Sequence, residues 1–411
     1  MNSGTCRSCG AKLGHTFCDL GMSPLSNAFL RAEQLQSMEP FYPLHAYVCS
    51  GCFLVQLEEF ESPQRIFTEE YAYFSSYSET WLDHARSYVD DMFERFHFGP
   101  DSMVVEIASN DGYLLQYFKQ KNVPVFGIEP AENCARVAQQ AGIPTLVKFF
   151  GSELALELKA QGKTADLLLG NNVLAHVPSL NDFVKGLKIL LKPNGMITVE
   201  FPYLVNLMRE NQFDTIYHEH FSYFSFFSVE KVFERQGLKV FDVERLTTHG
   251  GSLRVFAAHE EDMTKTPGEN VARLKDEEAR FGIADLKTYL GFSDQVQRTK
   301  RKLLEFLVRA KSSGQSIVGY GAPAKGNTLL NYCGVRTDFI EYTVDRSPHK
   351  QGRFLPGTHI PILAPERIRV TRPDYILVLP WNLKDEVIAQ MTHVSEWGAK
   401  FVVPIPELMV I

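Results

Sequence analysis

Nowhere does the chain hold the roughly 20 consecutive apolar residues that a membrane-spanning helix requires, and its strongly apolar runs, such as Tyr375-Ile376-Leu377-Val378-Leu379, are only strand-length. No membrane segment is expected. The opening MNSGTCRSCG lacks the basic region and apolar stretch of a secretory signal, which points to the cytoplasm. Positive charge is not in excess either. Lys and Arg total 42 against 49 for Asp and Glu, a net of -7, so the electrostatic footprint for nucleic acid or an anionic membrane is missing. Neither a GxGxxG loop nor an HExxH or HxxxH zinc pattern occurs, and no low-complexity linker separates the parts. With 45% hydrophobic and 22% charged residues, disorder cannot account for the bulk of the chain. Its 411 residues predict two to four domains.

Cysteine is sparse but patterned. Of seven, four fall in two CxxC pairs, Cys6/Cys9 and Cys49/Cys52. In a reducing compartment such pairs favour metal over disulfides, and four thiolates suit a tetrahedral structural zinc with no open position for catalysis. The gap between the pairs is longer than in common zinc ribbons, so His15, Cys18 and His45 stand as alternative ligands. Residues 1–65, with short β-like runs such as His45–Val48, read as a zinc-binding domain.

Beyond it the grammar changes. From about 66 to 100 a helical period appears, with Trp81, Ala85, Tyr88 and Met92 recurring at three and four residues. Strand-like runs then alternate with amphipathic segments at 103–107, 125–128, 166–169 and 196–199, ending in a late strand at 252–258. That order predicts an α/β fold with a doubly wound parallel sheet over 66–260. A charged helical connector follows at 261–312. Residues 313–411 repeat the alternation, at 316–320, 340–344, 375–379 and 400–403, and predict a second Rossmann-like domain.

Three clusters carry the chemistry. After the first buried strand, Glu106-Ile107-Ala108-Ser109-Asn110-Asp111-Gly112 supplies small residues that admit a ligand at the sheet's switch point. About 20 residues on, Glu129 ends the next strand, where a carboxylate accepts from ribose hydroxyls. Asn171, Asn172 and His176 follow a later strand at the same edge. This arrangement resembles class I S-adenosylmethionine-dependent methyltransferases, with Ser109-Asn110-Asp111-Gly112 in place of their usual glycine repeat. Thr215-Ile216-Tyr217-His218-Glu219-His220 packs two imidazoles, a carboxylate and a phenol into six positions. A neutral histidine removes a proton near pH 7, and an adjacent Glu is expected to orient its ring. In the third cluster, Gly319-Tyr320-Gly321-Ala322-Pro323-Ala324-Lys325-Gly326 opens a helix with amides and an ammonium fit for a diphosphate, and Asp345 follows the next strand.

Together with the EEYAYFSS run and Thr248-His249-Gly250-Gly251-Ser252-Leu253-Arg254, these motifs resemble the sugar C-methyltransferases of the tetronitrose 3-C-methyltransferase type along nearly the whole chain. The resemblance implies S-adenosylmethionine and structural zinc as cofactors. As substrate it implies a nucleotide-linked 4-keto deoxysugar held between the last two domains, in branched deoxysugar biosynthesis. It makes His220 the general base, with Tyr217 and Glu219 lining the site and Tyr71 closing over the substrate. Tyr73, Tyr77, His249, Gly250, Gly251, Arg254, Tyr320, Ala322, Lys325 and Asp345 are the expected substrate contacts. A saturated sugar carbon has no lone pair, so carbon methylation needs the enolate that deprotonation beside a ketone provides. C3 is favoured and C5 is the alternative. Three rival readings are an O- or N-methyltransferase of a small metabolite, a non-enzymatic zinc-dependent nucleotide-binding protein, and an NAD-dependent oxidoreductase using the C-terminal loop.

Overall fold

Alternating burial along Tyr42–Val48, with Leu44, Ala46 and Val48 inward, makes a strand of the half-covered kind. The computed structural model describes residues 4–62 and 74–411. In its first sheet β1 (His15–Ser23), β2 (Tyr42–Val48) and β3 (Val55–Leu57) run antiparallel. A fourth strand, β9 (Ser222–Tyr223), joins from far along the chain by pairing Val55 with Tyr223 and Gln56 with Ser222. Nothing in the sequence pattern marks that strand.

Continuous apolar runs become fully buried parallel strands. In the second sheet β4 (Val104–Ile107), β5 (Val125–Ile128), β6 (Thr145–Leu146), β7 (Ala165–Asn171) and β8 (Leu191–Pro202) are parallel, and β10 (Leu238–Leu246) and β11 (Ser252–His259) extend it antiparallel. The order is β10-β11-β8-β7-β4-β5-β6. Because the chain leaves β4 for β5 on one side and returns to β7 on the other, a crevice opens at their carboxyl ends. The third sheet holds β12 (Ile317–Tyr320), β13 (Thr343–Val344), β14 (Ile362–Leu363), β15 (Tyr375–Val378), β16 (Lys400–Val403) and β17 (Met409–Val410). Its order is β14-β13-β12-β15-β16-β17, parallel except for the last strand.

Of the helical stretch expected over about 66 to 100, the described residues form a helix at Glu79–Phe96, and residues 66–73 of that expectation lie outside the described residues. Ser78 starts it by accepting the Trp81 amide at 3.3 Å, and Phe74–Ser78 before it form only a short turn. The charged connector is helical at Glu269–Phe281, Leu286–Leu290 and Phe292–Ser312. Phe292 stacks on Phe17 of β1 at 4.7 Å, which fastens the connector to the first sheet. One apolar cluster runs from Cys6 to Ile405. The three sheets therefore share a core.

Candidate active site

The crevice at the end of β4 is shaped by backbone. Ala108 (φ 58°), Asn110 (φ 50°) and Gly112 (φ 79°) all adopt left-handed conformations, so an alanine and an asparagine do here what glycines do elsewhere, at some cost in strain. A side chain at Gly112 would meet Ile143 at 2.4 Å, and one at Gly127 would meet the Ser109 hydroxyl at 2.5 Å. Glu129 accepts from the Asn110 amide at 2.9 Å and the Ala131 amide at 2.8 Å, while burial raises its carboxyl to about 7. Ala108, Asn110, Glu129, Asn171, Asn172 and His176 line one cavity of about 1180 Å³. Glu106 lies fully buried beneath the loop, its carboxyl pushed well up by burial, and does not line it. Ser109 is buried against Gly127. Asp111 turns to the preceding helix segment, accepting from Ser76 N at 3.1 Å and Ser76 Oγ at 2.5 Å, as Asn110 accepts from Ser75 N at 2.9 Å. The loop thus both faces the cavity and clamps the end of the EEYAYFSS run. The donor set and the cradle fit an adenosyl cofactor.

On the same cavity stands a wall of histidines. His220 Nδ1 lies 2.9 Å from the Thr215 carbonyl. A carbonyl only accepts, so Nδ1 carries the proton and Nε2 keeps its lone pair. Burial, and then the neighbouring His176, lower His220 well below the usual histidine value. His176 is fixed the same way by the Glu219 carbonyl at 2.8 Å, and burial lowers it to about 4. Tyr217 packs on His220 with centroids 4.0 Å apart. The expectation that Glu219 orients the His220 ring is corrected. Thr215 does so, and Glu219 instead accepts from Asn27 Nδ2 of the first unit at 2.8 and 3.0 Å, with burial raising its carboxyl to about 7. Asp214, beside Thr215, accepts from the Trp381 indole at 2.8 Å, tying this wall to the third sheet.

His249 (φ 56°) lines the cavity, its Nε2 3.2 Å from Asn172 Nδ2 and its ring 5.2 Å from Trp81. Gly250 and Gly251 have no room for side chains, which would meet Trp381 at 2.8 Å and Asn206 at 2.1 Å. Arg254 does not reach the cavity. Its Nε donates to Glu200 at 2.8 Å and its Nη1 to Glu244 at 2.8 Å, because Glu200 is a buried carboxylate that needs a cation. Of the C-terminal candidates only Lys325 lines the cavity, its Nζ 2.8 Å from Asn382 Oδ1. Tyr320 bonds Gln390 at 3.0 Å, and Asp345 accepts the Ala322 amide at 2.7 Å, holding the loop from below. Tyr77 is exposed and stacks near His349, off the cavity. Tyr71 and Tyr73 lie outside the described residues. Sequence reasoning missed Asn27, Phe149, Lys350 and Arg353, which line the cavity. A basic loop after β13 was a usable signal for the two cations, whereas Asn27 sits in no motif.

The sulfurs of Cys6, Cys9, Cys49 and Cys52 all lie within 4.8 Å of one another, which fits four thiolates around one zinc. Cys18 is buried apart from them, its thiol pushed up by burial. His45 Nε2 lies 2.8 Å from Thr16 Oγ1 instead. Gln56 Nε2 donates to Cys6 Sγ at 3.2 Å. The same Gln56 pairs through its backbone with Ser222, two residues after His220.

Three family models match in succession. One described as "Putative zinc binding domain" covers residues 6–67, "Methyltransferase domain" covers 81–243, and "C-methyltransferase C-terminal domain" covers 247–406. The chain is 39% identical over 407 residues to the C-methyltransferase NovU of Streptomyces niveus, covering 99% of this chain and 96% of that protein. Among solved structures, an S-adenosylmethionine-dependent methyltransferase of Thermotoga maritima is 18% identical with a TM-score of 0.36, over 48% of this chain and 99% of its own. Magnesium protoporphyrin IX methyltransferase of Synechocystis is 14% identical with a TM-score of 0.33, over 44% of this chain and 78% of its own.

Proposed function

Since the chain belongs to the S-adenosylmethionine-dependent sugar C-methyltransferase family, we propose that it methylates a ring carbon beside the ketone of a nucleotide-linked 4-keto deoxysugar. C3 is the favoured position and C5 the alternative. The observation that carries the reading is the His220 ring, held with Nδ1–H on the Thr215 carbonyl and kept neutral by burial, on the cavity that also receives the switch-point crevice.

In this reading Ala108, Asn110, Glu129, Asn171, Asn172 and His176 hold S-adenosylmethionine. When bound, it supplies an electrophilic methyl group. His220 Nε2 takes the proton from the carbon next to the ketone, and the carbanion equivalent so formed is the nucleophile. Negative charge gathering on the ketone oxygen calls for preorganised donors, for which Tyr217 and His249 are candidates; Gly250 and Gly251 do not line the cavity, and the Gly251 amide donates to the Thr248 carbonyl at 2.8 Å. Lys325, Lys350 and Arg353 give the cavity a cationic end suited to the diphosphate. The sugar lies between it and the histidines.

The test is incubation with methyl-labelled S-adenosylmethionine and a panel of nucleotide-linked 4-keto deoxysugars, with the label located by NMR. A new methyl on a carbon beside the ketone supports the reading and names the position. Label on oxygen or nitrogen sinks it.

A further inference from the structure

Among the described residues, the Glu219 carboxylate has one source of donors, Asn27. It is 5% exposed, and no cation lies within ion-pair distance of it among the described residues. Its two oxygens face Asn27 Nδ2 at 2.8 and 3.0 Å. A carboxylate accepts only, so the nitrogen of the Asn27 amide must be the atom that faces it.

We propose that Asn27 is a positioning residue for methyl transfer: it holds the Glu219 carboxylate in one rotamer, as an acceptor at the cavity wall, so that the zinc unit supplies part of the catalytic wall. The inference rests on the sugar C-methyltransferase reading above. A buried carboxylate stripped of its donors takes up a proton, and the group then presents a donor where the site was built around an acceptor. For a ligand rich in hydroxyls that is a reversal of sense.

Asn27 can hold a partner because its loop is itself held. Ser26 O accepts from Asn327 Nδ2 at 2.8 Å. Leu30 and Phe354 exchange both backbone hydrogen bonds, at 2.9 and 2.8 Å. Glu39 accepts the Gly357 amide at 2.7 Å and meets His359 Nε2 at 3.0 Å. The loop leaves β1 at Ser23, four residues before Asn27, and β1 belongs to the sheet that the cysteine cluster anchors. The β3–β9 pairing reaches the same catalytic segment from its other side. Two independent arms of the zinc unit therefore grip Tyr217–Tyr223.

The experiment compares wild type, Asn27→Ala and the isosteric Asn27→Asp, each with and without Glu219→Gln, on a sugar that wild type methylates. Expected is a fall in kcat on the order of 10- to 100-fold for Asn27→Ala, the scale of hydrogen bonds to a charged group. Asn27→Asp should fall at least as far, since it offers Glu219 an acceptor in the same shape. KM for S-adenosylmethionine should stay within about two-fold, and in the Glu219→Gln background neither change should cost more than about two-fold, because coupled residues are not additive. Wild-type kcat in Asn27→Asp, or equal losses in both backgrounds, overturns the proposal and leaves the loop a mere brace. A wild-type enzyme that methylates no sugar overturns the underlying reading, and the proposal with it, before any variant is compared.

Discussion

The two walls of the cavity are built in opposite ways. The cofactor wall is local: Asn110 and Glu129, which hydrogen-bond across the crevice, are 19 residues apart and follow the ends of adjacent strands of one sheet. The histidine wall is assembled from all three units, since Glu219 is held by Asn27, the strand after His220 pairs with β3, and Asp214 accepts from Trp381. In the proposed reading, cofactor binding is thus a property of the central sheet and proton removal one of the whole chain.

That contrast is breakable at its strongest point by the metal. Chelating zinc, or Cys49→Ser, should abolish methyl transfer, because the β3 pairing and the Asn27 loop both depend on the cysteine cluster. Calorimetric binding of S-adenosylmethionine should stay within about three-fold, since hydrogen bonds within the central sheet set it. Equal loss of both would erase the distinction between the walls. Next in size, His220→Ala should lower kcat by roughly 100-fold or more, the scale of a missing general base, and leave cofactor affinity alone. Full turnover in that variant would remove His220 from the role. Smaller again, Glu129→Ala should weaken S-adenosylmethionine by on the order of 10-fold, the scale of lost hydrogen bonds to a carboxylate, with kcat restored at saturation. Unchanged affinity would take Glu129 out of the cofactor wall.

The smallest effect separates the walls by pH. Burial raises Glu129 and Glu219 to about 7 each. Both are carboxylates above that pH and take up protons as it falls through it. Cofactor affinity should then weaken below pH 7 through Glu129, and kcat should fall there through Glu219. His220, held well below the usual histidine value, stays neutral in this window and loses its function only further down. In Glu219→Gln the kcat limb should move lower while the affinity limb stays. Profiles that shift together in that variant would break the separation.

Legibility in the sequence follows the same division. The parallel sheets, the crevice residues and the four cysteines were readable because each rests on local periodicity or close spacing: a run such as Val104–Ile107 buries both faces, and CxxC clasps one side of an ion. Arg254 was misread for the opposite reason. Its motif neighbour His249 reaches the cavity, but strand alternation turns the Arg254 side chain to Glu200, a buried acid whose need for a cation shows only in three dimensions. The Thr215 carbonyl lay inside a motif and still went unrecognised, since backbone acceptors leave no trace in residue type. Asn27 is invisible for a plainer reason. Its partner is 192 residues away, and no periodicity connects them.

Separation on that scale governs the order in which the molecule comes together. Closing a loop costs more conformational entropy the longer it is, and distant contacts form late. The Asn110–Glu129 bridge spans 19 residues, whereas Asn27–Glu219 spans 192 and Asn327–Ser26 spans 301. During refolding the ability to bind S-adenosylmethionine should therefore return ahead of turnover. The interval between the two is the time the ends of the chain take to find the middle.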